Sequence, residues 1–424
     1  MEKIFKTKEG LRVLFVPVAN ATSVTIFKSY AVGSRNEPPE LAGGAHFIEH
    51  LMFKGTNKRL TPKSITRELD VVGAQYNAFT SKDMTAYYVK ITSDKFELAC
   101  DIVSDITYNS TFPVDEVERE KKVIIEEMKM YEDDPRSYID DLYEQLVYKG
   151  NTLGGDTIGN RKTVMSATRD SLIKFRDSFY HDDNSVLIVS GDIPKNAESL
   201  VKKYFSGHPT ARHKPLKVKK FLLKPTSAKI LSFVKQVEQA QFMLGFTTTG
   251  FTHKDTFIYS LISAMLGGGM SSVLFDEIRE KLGLCYFIRM YSTQYQEVGQ
   301  LVVRAGLNQE KIDEALIKIL EILVNFKNGK FSDDDLRHAK DFIYGNTMLE
   351  LEDSATRGET YMKKFTLMDK IISPEARLKM IKSITRNDIL RVAKKIIVKE
   401  RCNLVLIASR DFSKEVKKII NQYL

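Results

Sequence analysis

Two stretches of this chain, 219 residues apart, open in the same way. Phe112-Pro-Val-Asp115-Glu116-Val117 and Phe331-Ser-Asp-Asp334-Asp335-Leu336 each set an aromatic residue and a short acidic run ahead of a long helical pattern. Acidic side chains there suit the positive end of a helix. The same offset carries Ala45 to Ala264 and His50 to Gly269. At 424 residues the chain is too long for one ordinary core. Two similar α/β modules are therefore expected, an α+β architecture in which each packs helices on a mostly antiparallel sheet. The expected boundaries are 1–207 for the first module, 208–228 for a linker and 229–424 for the second. The linker reading rests on Gly207, Pro209, Pro215 and Pro225 among closely spaced Lys and Arg residues.

Local patterns fill in the modules. Leu11–Val16 and Ser23–Val32 alternate and are β-branched, and the turn-prone Ala19-Asn20-Ala21 between them predicts a hairpin. Helical patterns follow near 41–54, 62–72, 94–107, 113–131, 135–149 and 168–180, with strands at Met84–Ile91 and Ser185–Ser190. The second half predicts strands at 229–234, 240–247, 285–294 and 298–305, and helices at 253–266, 270–282, 308–327 and 332–365.

Composition narrows the function classes. No apolar run approaches the ~18 residues of a membrane span, and the start of the chain lacks a signal-peptide pattern. Neither a membrane partner nor secretion by a cleaved signal is expected. The net charge is +9, but no dense basic face or reader motif accompanies it, so nucleic acid is not an expected partner. Three scattered cysteines, Cys100, Cys285 and Cys402, suit a reducing cytoplasm rather than a disulfide framework.

One cluster carries chemistry. His46-Phe-Ile-Glu49-His50 spaces two histidines four apart, which on a helix turns the side chain by only ~40° and sets both imidazoles on one face. That spacing lets both reach one divalent ion, with Glu49 placed to act as a base. H-x-x-E-H is the inverse of the common H-E-x-x-H zinc helix. A catalytic zinc site needs a third protein ligand. In the predicted helix at 113–131, Val117, Glu120, Ile124, Glu127 and Tyr131 form one stripe, and carboxylates on an apolar stripe need a partner. Glu127 is the expected ligand and Glu120 the acid that orients a ligand; Glu126 is rotated ~100° away.

Ala42-Gly-Gly-Ala-His46-Phe-Ile-Glu49-His50-Leu-Met-Phe-Lys-Gly-Thr56 resembles the active-site helix of the pitrilysin family of zinc metallopeptidases, in the branch with mitochondrial processing peptidase and its bacterial relatives. Glu120-Lys-Lys-Val-Ile-Ile-Glu126-Glu127-Met128, Gly33-Ser-Arg-Asn-Glu37 and Gly73-Ala-Gln-Tyr-Asn77-Ala78 match that family too. The resemblance implies a zinc endopeptidase with one Zn2+ per chain, held by His46, His50 and Glu127, with Glu49 as base. It implies that peptide substrate adds as a strand beside Asn77, Ala78 and Phe79.

The second half lacks the metal set, carrying Met265, Gly268, Gly269 and Asn346 at the offset positions. Its Gly267-Gly268-Gly269 loop suits close chain approach or a place near substrate. By resemblance, Arg279 and Tyr286 bind substrate and stabilise the developing oxyanion, acting on the site of a partner chain. The implied assembly is a homodimer in which each chain forms half of a clam-like chamber. The alternative is a non-catalytic or partner-dependent subunit of a processing-peptidase-like heterodimer.

Overall fold

A computed structural model describes residues 2–208, 220–222 and 227–424. Most of the segment 208–228, read from sequence as a linker, lies outside the described residues. Among the described residues no helix is long and apolar enough to cross a membrane.

The chain divides into two units, each built from three segments. The first comprises Met1–Lys129, Gly155–Val218 and Thr347–Pro374; the second comprises Met130–Gly154, Lys219–Asn346 and Glu375–Leu424. This division differs from a single cut near residue 208, because one helix from each half of the sequence belongs with the other half's unit.

The first unit holds a six-stranded sheet. Its strands are β1 (Lys3–Lys6), β2 (Arg12–Pro17), β3 (Ser23–Tyr30), β4 (Gln75–Thr80), β5 (Thr85–Thr92) and β6 (Ser185–Gly191), in the spatial order β1-β2-β6-β3-β5-β4. The second unit holds β7 (Lys229–Val234), β8 (Ala240–Thr249), β9 (Cys285–Gln294), β10 (Val298–Leu307) and β11 (Cys402–Ala408), in the order β7-β11-β8-β10-β9. Removing β1 makes the two orders identical. In both, the last strand of the unit inserts parallel to the first and antiparallel to the second. The repeat seen in the sequence is thus a repeat of topology.

That insertion overturns the expected hairpin. β2 and β3 do not pair with each other; β6 lies between them, with Leu14 opposite Ile188 and Ile188 opposite Phe27. Every residue of β6 is buried, as befits a central strand with apolar layers on both faces. One layer contains Phe47, Ile48, Leu51, Ile102, Val103 and Ile124. On the other, Phe27, Val186 and Ile188 pack against Tyr361, Met362 and Phe365 of the helix Ser354–Met368. In the second unit the helix Pro135–Val147 does the same, placing Ile139, Leu142 and Tyr143 on Met243, Val302 and Val405.

The helix expected over 332–365 is two helices, Asp333–Glu350 and Ser354–Met368. Asp353 separates them: its carboxylate caps the second by accepting the Thr356 N–H at 2.9 Å.

Candidate metal centre

The helix that carries the H-x-x-E-H motif is short, Gly44–Leu51, because its start is fixed by Gly43 at φ 92°, a left-handed conformation that favours glycine. The carboxylate of Glu37 caps that start, accepting the N–H of Gly43 and the N–H of Ala45 at 2.7 Å each. Phe47, Ile48 and Leu51 anchor the helix in the core. His46, Glu49 and His50 are left half-buried on its other side. This helix packs beside β4, the free edge of its sheet.

The second helix of the site runs Val114–Asp133. Val117, Glu120 and Ile124 of the predicted stripe are buried and Glu127 is half-buried, but Tyr131 is exposed. Glu126 points to solvent and pairs with Lys129 at 2.7 Å. Its neighbour Glu127 turns to the histidines, with one carboxylate oxygen 3.7 Å from His46 Nε2 and the other 3.6 Å from His50 Nε2. One ligand atom from each of the three residues lies within 4.8 Å of the others. Ligands at ~2.1 Å from a tetrahedral ion stand ~3.4 Å apart, close to the 3.7 Å and 3.6 Å that separate the Glu127 oxygens from the two imidazoles.

The surroundings set the ligands' protonation. Glu120 accepts from His50 Nδ1 at 3.0 Å. A carboxylate there requires the proton on Nδ1 and leaves the Nε2 lone pair free for a metal. Lys54 holds the other Glu120 oxygen at 2.8 Å. Burial works to raise the Glu120 carboxyl, but the bonds from His50 and Lys54 outweigh it and hold the group below the usual range. Burial, with a smaller push from His50, drives His46 down to about 3, so its imidazole is neutral as a ligand must be. Burial raises the Glu49 carboxyl, as suits a base that must both take and release a proton. The Thr80 hydroxyl donates to Glu49 Oε2.

The remaining predicted residues fall in two places. Asn77, Ala78 and Phe79 lie on β4, with Asn77 exposed and its side-chain oxygen accepting the Ala78 N–H at 2.9 Å. In the second unit, Arg279 and Tyr286 come together, the guanidinium 5.8 Å from the Tyr286 ring and 4.7 Å from that of Phe275. Tyr286 is an exposed aromatic, 65% accessible, at the start of β9. Gly267 ends the helix Thr256–Gly267, and a Cβ there would stand 2.3 Å from the Met290 backbone nitrogen. A Cβ on Gly268 would meet the Ala264 Cα at 2.7 Å, and one on Gly269 would touch the Phe342 ring at 3.3 Å. Close chain approach accounts for Gly267 and Gly268. Sequence reasoning assigned no role to Thr80, Lys54 or Glu37, which join the site through tertiary contacts.

Two repeated α+β units, one of them bearing two imidazoles and a carboxylate around a common point with a second acid beside them, suit a metal-dependent hydrolase. The comparisons with known proteins say which. Residues 13–161 match the model described as insulinase (peptidase family M16), and residues 166–342 match the model of the peptidase M16 inactive domain. An uncharacterized zinc protease of Bacillus subtilis is 32% identical over 384 residues, 88% of this chain and 91% of the relative. A protease from Helicobacter pylori superposes with a TM-score of 0.90 at 23% identity, covering 96% of this chain and 99% of that one. A chain of complex III2 from Candida albicans shares the fold with a TM-score of 0.83 at 16% identity, over 98% and 99% of the two chains. The chain belongs to the insulinase/pitrilysin family of zinc proteases, peptidase family M16.

Proposed function

We propose that this chain is a zinc-dependent endopeptidase that cleaves peptides or unfolded segments lying as an added strand along the free edge of β4. The observation that carries this reading is the convergence of His46 Nε2, His50 Nε2 and the Glu127 carboxylate, with Glu49 on the same short helix. A zinc ion held by these three residues supplies Lewis acidity that polarises a carbonyl and acidifies water. Glu120 keeps the His50 lone pair aimed at the ion's place. Glu49 takes the proton of the attacking water and passes it to the amide nitrogen as the C–N bond breaks. The exposed edge of β4 offers backbone groups to an extended peptide, which favours main-chain over side-chain recognition.

Arg279 and Tyr286 complete the reading as substrate-binding groups supplied to the site of a second copy of the chain. Light scattering of the purified protein is then expected to give twice the 48.4 kDa chain mass, and a monomer would remove that part of the proposal. The alternative of a non-catalytic subunit loses ground because both histidines, Glu49 and Glu127 all stand in place.

Glu49→Gln is the test of the chemistry. It preserves shape and the ligand set, so zinc content and thermal stability should hold while cleavage of a quenched peptide mixture falls by about 100-fold or more. Undiminished cleavage would remove Glu49 from the role of base.

A further inference from the structure

The segment Gly33-Ser34-Arg35-Asn36-Glu37 stands apart from the ligands, yet it holds two different pieces of the site. Its first residues grip the turn that joins β4 to β5. Ser34 N–H donates to Ser81 O at 3.0 Å, Arg35 N–H donates to Lys82 O at 3.1 Å, and the Arg35 guanidinium pairs with Asp83 at 2.8 Å. The approach at Gly33 is so close that a Cβ would stand 2.1 Å from Ser81 O. Its last residue, Glu37, holds the start of the motif helix through Gly43 and Ala45.

Thr80 and Glu49 sit on the two pieces so held. Thr80 is the last residue of β4, immediately before the turn, which is closed by Ser81 N–H donating to Met84 O at 2.8 Å and by the Ser81 hydroxyl donating to the same oxygen at 3.0 Å. Alternation along the strand puts Tyr76, Ala78 and Thr80 on one face. Tyr76 and Ala78 pack with the core that contains Phe47, Ile48 and Leu51 of the motif helix, and the Tyr76 ring lies 6.5 Å from that of Phe53. Thr80 continues that face, and its hydroxyl donates to Glu49 Oε2. Among the described residues this is the hydrogen bond made to the Glu49 carboxylate. It occupies one oxygen and leaves the other for the proton.

We infer that Thr80 is a positioning residue for the Glu49 carboxylate, and that residues 33–37 are the brace that keeps Thr80 and Glu49 in register. The inference deepens the proposed function and rests on its reading of Glu49 as the base. A carboxylate half-buried on a short helix can rotate about its own side-chain bonds. A hydroxyl fixed to a tight turn removes that freedom before substrate arrives, which is the entropic part of general-base catalysis. The strand that receives the peptide then also carries the group that aims the base.

The test compares Thr80→Val, which keeps the branched shape and loses the hydroxyl, with Thr80→Ser, which keeps the hydroxyl. Thr80→Ala serves in place of the valine variant if the latter does not fold. Each is assayed on a quenched peptide for kcat and KM, with zinc content and melting temperature measured on the same sample. Loss of the hydroxyl should lower kcat about 10- to 100-fold with KM within about twofold, zinc content unchanged and activity largely restored in the serine variant. In a Glu49→Gln background the same change should cost nothing further, since the positioned group is gone. Wild-type kcat in Thr80→Val, a serine variant as impaired as the valine one, or a kcat loss matched by loss of zinc or stability would each overturn the inference. If Glu49→Gln is inactive while Thr80→Val is fully active, the positioning role fails and the base survives; if Glu49→Gln is active, the base itself fails.

Discussion

At the scale of single residues, the site turns on which nitrogen of the His50 imidazole is free. His50 is tied at Nδ1 to Glu120, and Glu120 is itself tied to Lys54, so a carboxylate only 2% exposed has both oxygens satisfied by positive or donating groups. Such a group orients a ligand and strengthens its basicity. Glu120→Gln should therefore weaken zinc binding by about 10- to 100-fold in competition with a chelator, with the fold retained. Unchanged affinity would reduce Glu120 to a structural acid. His46 with His50, and Glu127 apart from Glu126, could be sorted from sequence because helical spacing brings residues four apart to one face and turns adjacent ones ~100° away from each other. Thr80, Lys54 and Glu37 could not. Their partners lie 31, 66 and 6 to 8 residues away along the chain, and no periodicity encodes a contact between a strand end, a helix end and a loop.

Elements show the same contrast between local pattern and tertiary choice. The long site helix Val114–Asp133, the short motif helix and most strands follow from apolar periodicity, and their existence was legible. The expected hairpin of Leu11–Val16 with Ser23–Val32 was not realised, because a short turn between alternating strands says only that they are near. It does not say that a third strand, buried on both faces, has a stronger claim to the place between them. The motif helix also came out shorter than its apolar pattern, at Gly44–Leu51 within the expected 41–54. Gly43 sets its start, where a Cβ would stand 2.4 Å from Ile158 O, so the loop leading into the helix is packed directly against another backbone segment. The histidines are thus carried on a helix with little room to shift at its beginning.

For the molecule as a whole, the repeat was visible in sequence, whereas the exchange of a helix between the two halves was not. Each unit completes its sheet with a helix from the other half of the chain, a choice made by the far face of the sheet rather than by any linker composition. The apolar far face of the first sheet, with Phe27, Val186 and Ile188, is covered by Tyr361, Met362 and Phe365. A fragment of residues 1–207 lacks that cover and should expose the patch, giving an aggregating or poorly folded product without a cooperative melting transition. A soluble fragment that melts cooperatively would show that the helix Ser354–Met368 is dispensable to the first unit.

The most direct measurement is an anomalous difference map at the zinc absorption edge from crystals of the zinc-loaded protein. One peak per chain is expected, bounded by Nε2 of His46, Nε2 of His50 and the Glu127 carboxylate, with no peak at Met265, Gly269 or Asn346 of the second unit. A zinc peak away from those three side chains, or none at full zinc loading, would contradict the reading of this cluster as the metal centre.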